Sequence, residues 1–163
     1  MGLAASIPDS VVIQFDRYPV QMPEDLASWR GDGADFNLWS APGLAEDLAR
    51  ARDGDELVVF EAPLGRRHAL TGAHIDFLVF IEIPLEIALA RLVRRELAGE
   101  SDRLVEYIDA YEAVARDVYR EQSRQVAPDA DLVVDGRPGG GQSASDPGRA
   151  RLMSKVGFTR GYP

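Results

Sequence analysis

Val11-Val12-Ile13-Gln14-Phe15-Asp16 and, further along, Leu57-Val58-Val59-Phe60-Glu61 are the stretches that decide the fold. Each is a short β-branched run that closes on a carboxylate and passes into a Pro-containing loop, which predicts two buried strands with an acid at the end of each. A third strand is predicted over Phe77-Leu78-Val79-Phe80-Ile81-Glu82-Ile83, apolar on both faces for most of its length, as central parallel strands are. Leu132-Val133-Val134 reads as a last short strand.

Helices fill the intervals. Ser40 is placed to cap a helix with Pro42 in its first turn, carried by Leu44, Leu48 and Ala51 and stopped at Gly54. Pro84 opens a helix that runs to about Ala98, with Gly99 as its stop. A long amphipathic helix is expected from about Asp102 to Gln125, with Leu104, Ile108, Tyr111, Ala115 and Val118 as its apolar stripe. Tyr18–Gly33, rich in Pro and Gly, reads as loop with at most a turn of helix, and Gly65–His74 as polar loop. Strands alternating with helices predict an α/β fold, a parallel sheet with helices on both faces. The boundaries are 1–137 for this domain and 138–163 for a disordered tail, because the stretch after Gly136 is Gly/Ser/Asp-rich with few core formers.

Composition narrows the function. The chain has 163 residues, 27 acidic against 18 basic, and a formal charge of −9. That field repels phosphate backbones and argues against nucleic acid as a partner. No apolar run approaches the ~20 residues of a membrane helix, and the first residues lack a signal-peptide pattern. With 0 Cys there is neither a disulfide framework nor a thiolate metal site. A soluble cytoplasmic protein is the expectation.

In open α/β sheets, ligands bind at the carboxyl ends of the strands. Asp16 and Glu61 therefore stand where a carboxylate can hold Mg²⁺ or accept a proton from a substrate hydroxyl; equally, each could simply cap the loop behind it. Arg91, Arg94 and Arg95 share one helix face at i, i+3, i+4, with Arg103 beyond Gly99. Clustered guanidinium forks suit phosphate oxygens, and the bland alternative is a solvated basic face paired with Glu96, Glu100 and Asp102. Arg66 and His68 lie just past the second strand, either as substrate contacts or as surface loop. His68 and His74 make a poor metal pair. Trp29, Phe36 and Trp39 suit core or lid packing better than a base-stacking platform.

Taken in order, Val12-Ile13-Gln14-Phe15-Asp16-Arg17-Tyr18, Ala34-Asp35-Phe36-Asn37, Val58-Val59-Phe60-Glu61 and Phe80-Ile81-Glu82-Ile83-Pro84-Leu85-Glu86-Ile87-Ala88-Leu89-Ala90-Arg91 resemble the uridine kinase-like branch of the P-loop kinases, which includes phosphoribulokinase and bacterial pantothenate kinase. The resemblance covers roughly residues 10 to 136. It implies an ATP- and Mg²⁺-dependent phosphotransferase acting on a hydroxyl of a nucleoside or other small molecule. It implies that Asp16 is the catalytic base and a metal ligand, with Glu61 near metal and substrate. Tyr18, Asp35 and Asn37 become substrate contacts beside Arg66 and His68, and Arg91, Arg94, Arg95 and Arg103 a lid on the phosphates.

The chain also departs from that pattern. The G-x-x-x-x-G-K-[ST] loop is missing, and the only lysine, Lys155, has no Gly-rich loop before it. Asn37 stands where nucleoside kinases of the branch carry an aspartate. Three readings follow: a kinase whose start is placed too late, so that the loop is missing and the supplied chain inactive; a kinase-derived protein that binds a ligand or partner without catalysis; or an unrelated α/β binding domain. Removing the strand that feeds the loop would leave unpaired edges, so a homo-oligomer is a further expectation.

Overall fold

A computed structural model describes residues 10–54, 57–96, 99 and 101–137. The stretch read as a tail, 138–163, lies outside the described residues.

The α/β class is observed, with strands β1 (Ser10–Gln14), β2 (Leu57–Glu61), β3 (Val79–Glu82) and β4 (Leu132–Asp135). They do not form one continuous sheet. β1 pairs with β2 and β3 with β4, both parallel, as two separate two-stranded sheets. The registers are Ile13 opposite Phe60 with Gln14 opposite Glu61, and Ile81 opposite Val134 with Glu82 opposite Asp135.

The helices are α1 (Leu26–Gly31), α2 (Leu44–Arg52), α3 (Ala69–Gly72), α4 (Leu85–Glu96), α5 (Ser101–Ala110) and α6 (Arg116–Val126). Four differ from expectation: α3 forms inside the stretch read as polar loop, and three others depart for local reasons. The helix expected from Ser40 begins at Leu44, because Gly43 at φ 84° takes the cap and Ser40 instead bridges antiparallel to Gln21. The loop before Gly33 contains α1, which Asp25 caps by accepting from the Ala27 and Ser28 amides. The long helix is continuous from α5 to α6 but carries a π-helical turn at Tyr111–Ala115. Among the described residues no helix is long and apolar enough to cross a membrane.

One core organises the β1–β2 half. Ile13, Phe15, Trp29, Phe36, Trp39, Leu44, Leu48, Leu64 and Val118 are buried together, with Val11, Val58 and Phe60 packed against them. The aromatic trio is core, with Trp29 centred 5.4 Å from Phe36 and 5.7 Å from Trp39. Alternation along β1 sends Val11 and Ile13 to this core and leaves Val12 44% exposed on the opposite face. The second sheet is tied to the first through the turn after β2. Gly65, at φ 52°, comes so close that a Cβ there would stand 2.6 Å from Val126 Cγ1 and 3.4 Å from Leu78. Next to it, Arg66 reaches the bases of β3 and β4.

Candidate functional site

The carboxyl edge of the β1–β2 sheet is built from the register outward. Because Gln14 pairs with Glu61, both chains leave the sheet at the same level. The Gln14 side-chain amide donates to Glu61 Oε2 at 2.7 Å, and its oxygen accepts from Arg17 Nε at 3.3 Å. Phe15, only 3% exposed, anchors the 3₁₀ turn Phe15–Arg17 in the core, which turns Asp16 outward to solvent. Among the described residues the Asp16 carboxylate makes no hydrogen bond or ion pair. The edge thus presents one unpartnered carboxylate and one steadied by an amide.

The long helix closes over this edge. Val118 of α6 is buried in the same core cluster as Phe15. Gln122 donates to the carbonyl of Pro63, just past β2. Arg30 of α1 pairs with Asp117, and Gln125 reaches the carbonyls of Gly33 and Ala34. Burial, a hydrogen bond with Tyr107, the neighbouring phenols and the charge on Asp16 together push the Tyr119 phenol up from 10.0 to about 12. The residue as a whole stays 38% exposed. Tyr111 sits behind it, ring centroids 6.3 Å apart. On its other side Tyr111 lines a cavity of about 280 Å³ with Leu89, Ile108, Glu112 and Arg116.

The expected substrate contacts Tyr18, Asp35, Asn37, Arg66 and His68 each have a protein partner. Tyr18 donates to Asp47 of α2 at 2.8 Å; burial first, then that bond, raises its phenol. Asp35 accepts from the Asn37 amide and side chain, and Asn37 Oδ1 in turn accepts from the Ala69 amide at the start of α3. His68, 4% exposed, pairs its Nδ1 with Thr71 Oγ1 at 2.9 Å. Arg66 donates to the carbonyls of Ile75, Asp76 and Asp129 and to the Asp131 carboxylate. Arg91, Arg94 and Arg95 are exposed on α4, and Arg103 is exposed on α5. Among the described residues Arg91 and Arg94 have no hydrogen-bonding or ionic partner, whereas Arg95 and Arg103 are engaged.

No group of three or more His, Cys, Asp or Glu side chains among the described residues is arranged to hold a metal. Asp16 and Glu61 are the two carboxylates at the carboxyl edge of the β1–β2 sheet, Glu61 opposite Gln14 and Asp16 two residues beyond it.

Sequence reasoning missed Gln14, Tyr107 and Tyr119. A signal was present: Tyr107, Tyr111, Ala115 and Tyr119 recur at four-residue steps. The period of 3.6 assigned the helix's face to Leu104, Ile108, Tyr111, Ala115 and Val118, which takes in Tyr111 but not Tyr107 or Tyr119, because a π turn is invisible to that period. Searches against family models, curated proteins and solved structures find no match to this chain.

Proposed function

We propose that the β1–β2 edge is the acceptor side of a small-molecule phosphotransferase. Asp16 takes the proton from a substrate hydroxyl as its oxygen bonds to the γ-phosphorus of ATP and the bond to the departing ADP oxygen breaks. Glu61, oriented by Gln14, shares with Asp16 the seat for Mg²⁺, which would neutralise charge on the phosphates. Arg91 and Arg94 are the cations of α4 left available for phosphate oxygens. The reading is carried by one observation: the Gln14–Glu61 register brings Asp16 and Glu61 out at the same edge, with Asp16 unpartnered. The 163 residues contain no Gly-Lys phosphate loop, so donor binding by this chain alone is weak.

The carboxylate pair is tested without turnover. Mn²⁺, standing in for Mg²⁺, should broaden the NMR amide signals of residues 14–18 and 61–62 before others, and Asp16→Asn or Glu61→Gln should suppress this. Broadening spread evenly over the acidic surface, or unchanged in both variants, would overturn the metal seat. If Mn²⁺ binds there but no alcohol supports ATP-dependent transfer even with a phosphate loop supplied upstream, the edge binds ligands without catalysis.

A further inference from the structure

Glu112 and Arg116 stand at i, i+4 with the acid first, the order that pairs best on the surface of an α-helix. Here Glu112 lies inside the π turn Tyr111–Ala115 and Arg116 begins α6, and the pair does not form. Among the described residues neither side chain has a hydrogen-bonding or ion-pair partner. Asp117, next to Arg116 in the chain, is already taken by Arg30 and Arg120. Both free charges border the cavity of about 280 Å³ between α4 and the long helix, whose other walls are Leu89, Ile108 and Tyr111. Leu89 and Ile108 are half-buried and Tyr111 is 7% exposed, whereas Glu112 and Arg116 are exposed at the rim. The Tyr111 hydroxyl also lacks a hydrogen-bonding partner among the described residues, although a phenol at this depth ordinarily finds one. Single π turns inside α-helices are frequent at functional sites.

One cavity thus joins an apolar floor, a free phenol, a free carboxylate and a free guanidinium. A purely anionic ligand would be repelled by Glu112, and a purely cationic one by Arg116. A ligand carrying both charges satisfies both side chains, each through a charge-assisted hydrogen bond. The volume lies just below the ~300–1,000 Å³ of drug-sized ligand sites, which suits a metabolite of amino-acid size. We propose that this cavity binds a zwitterionic α-amino acid with an aliphatic side chain. The carboxylate lies on Arg116 and accepts from the Tyr111 hydroxyl, the ammonium lies on Glu112, and the side chain packs against Leu89 and Ile108. The site shares no residue with the β1–β2 edge, so it stands or falls apart from the phosphotransfer reading.

Four probes separate the contributions: L-leucine; 3-methylbutylamine, which lacks the carboxylate; 4-methylpentanoate, which lacks the ammonium; and glycine, which lacks the aliphatic group. Their binding to the whole chain is followed by NMR amide shifts at pH 7. Leucine should shift the amides of residues 87–91 and 107–117 and bind about 10-fold tighter than each of the other three, the effect of one charge-assisted hydrogen bond or one buried aliphatic group. In Arg116→Gln leucine should lose its advantage over 3-methylbutylamine, and in Glu112→Gln its advantage over 4-methylpentanoate. Both side chains are exposed, and a thermal melt confirms that each variant folds. Leucine binding no tighter than the single-ended probes, advantages that survive both variants, or shifts confined to other segments would overturn the site.

Discussion

Gln14 and Glu61, opposite each other in the β1–β2 register, are joined side chain to side chain at 2.7 Å. The bond occupies one lone pair of Glu61 Oε2 and leaves Oε1 open, so the glutamate is held in place and still able to bind a cation. Replacing Gln14 with Ala should release Glu61 and weaken Mn²⁺ binding at the edge about 3–10-fold, the usual effect of losing a supporting hydrogen bond. Replacement with Glu instead sets two carboxylates against each other without a metal and should increase the metal dependence of thermal stability. A calorimetric titration of both variants checks this; identical affinities would mean that Gln14 has no orienting role.

Arg66 illustrates a cationic side chain that the sequence marks for a ligand and the fold uses for itself. Its guanidinium reaches three carbonyls and the Asp131 carboxylate, and Asp131 Oδ2 also accepts from the Leu78 amide at 2.9 Å. The starts of β3 and β4 are thus locked to the turn after β2. Arg66→Ala strands a largely buried carboxylate, 11% exposed, and several carbonyls. Unfolding in urea should show a loss of about 2–4 kcal/mol. Arg66→Lys should recover little of it, since a point charge cannot span the same acceptors. A loss below about 0.5 kcal/mol would return Arg66 to the list of residues available for ligands.

Acid should loosen the long helix first. Hydrogen bonds from Arg124 and then Gln125 hold Glu121 down from 4.5 to about 2, and Gln125 carries the contact on to the Gly33 and Ala34 carbonyls. At the end of β4, Arg137 holds Asp135 down from 3.8 to about 2 in the same way. A folded-state pKa below the unfolded one means stability fully present above pH ~4.5 and lost as pH falls toward ~2. The melting temperature should therefore decline over that window. In Glu121→Gln the decline should shrink, with a lower plateau at neutral pH. An equal acid decline in wild type and variant would exclude this linkage.

The strands were legible because β-branched runs ending in an acid have few other readings, and the parallel pairing followed from the helices between them. Sheet continuity was not legible: hydrophobicity says that a strand is buried and does not say which edges meet. That Asp16 and Glu61 leave the sheet at one edge was legible because strand ends are readable. Asn37 and His68 could not be told in sequence from residues that wait for a ligand, because a side chain bonded within the fold, Asn37 to the Ala69 amide and His68 to the Thr71 hydroxyl, leaves no compositional mark. The π turn at Tyr111–Ala115 was not legible, because it changes the helix's phase without leaving a compositional mark.

The last expectation concerns association. Parallel sheets are stable when both faces are covered, and a two-stranded sheet is marginal alone. Here the β1–β2 sheet has one face on the core and Val12, 44% exposed, on the other. The β3–β4 sheet leaves apolar side chains exposed on both faces: Ile81, 62% exposed, pairs with Val134 on the face where Leu132 is buried, and Val133, 44% exposed, pairs with Phe80 on the other. Each sheet also has a backbone edge on each side without a strand partner among the described residues. Apolar area and unpaired N–H and C=O groups exposed together favour pairing with another chain. The 163-residue chain should elute above its monomer mass in size-exclusion chromatography with light scattering at micromolar concentration, and melt over a broad range. Ile81→Thr with Val133→Thr keeps the β-branched shape while reducing the apolar area, and should shift the population toward monomer. A monodisperse wild-type monomer with a sharp, cooperative melt would show that these two small sheets are sufficient as they stand.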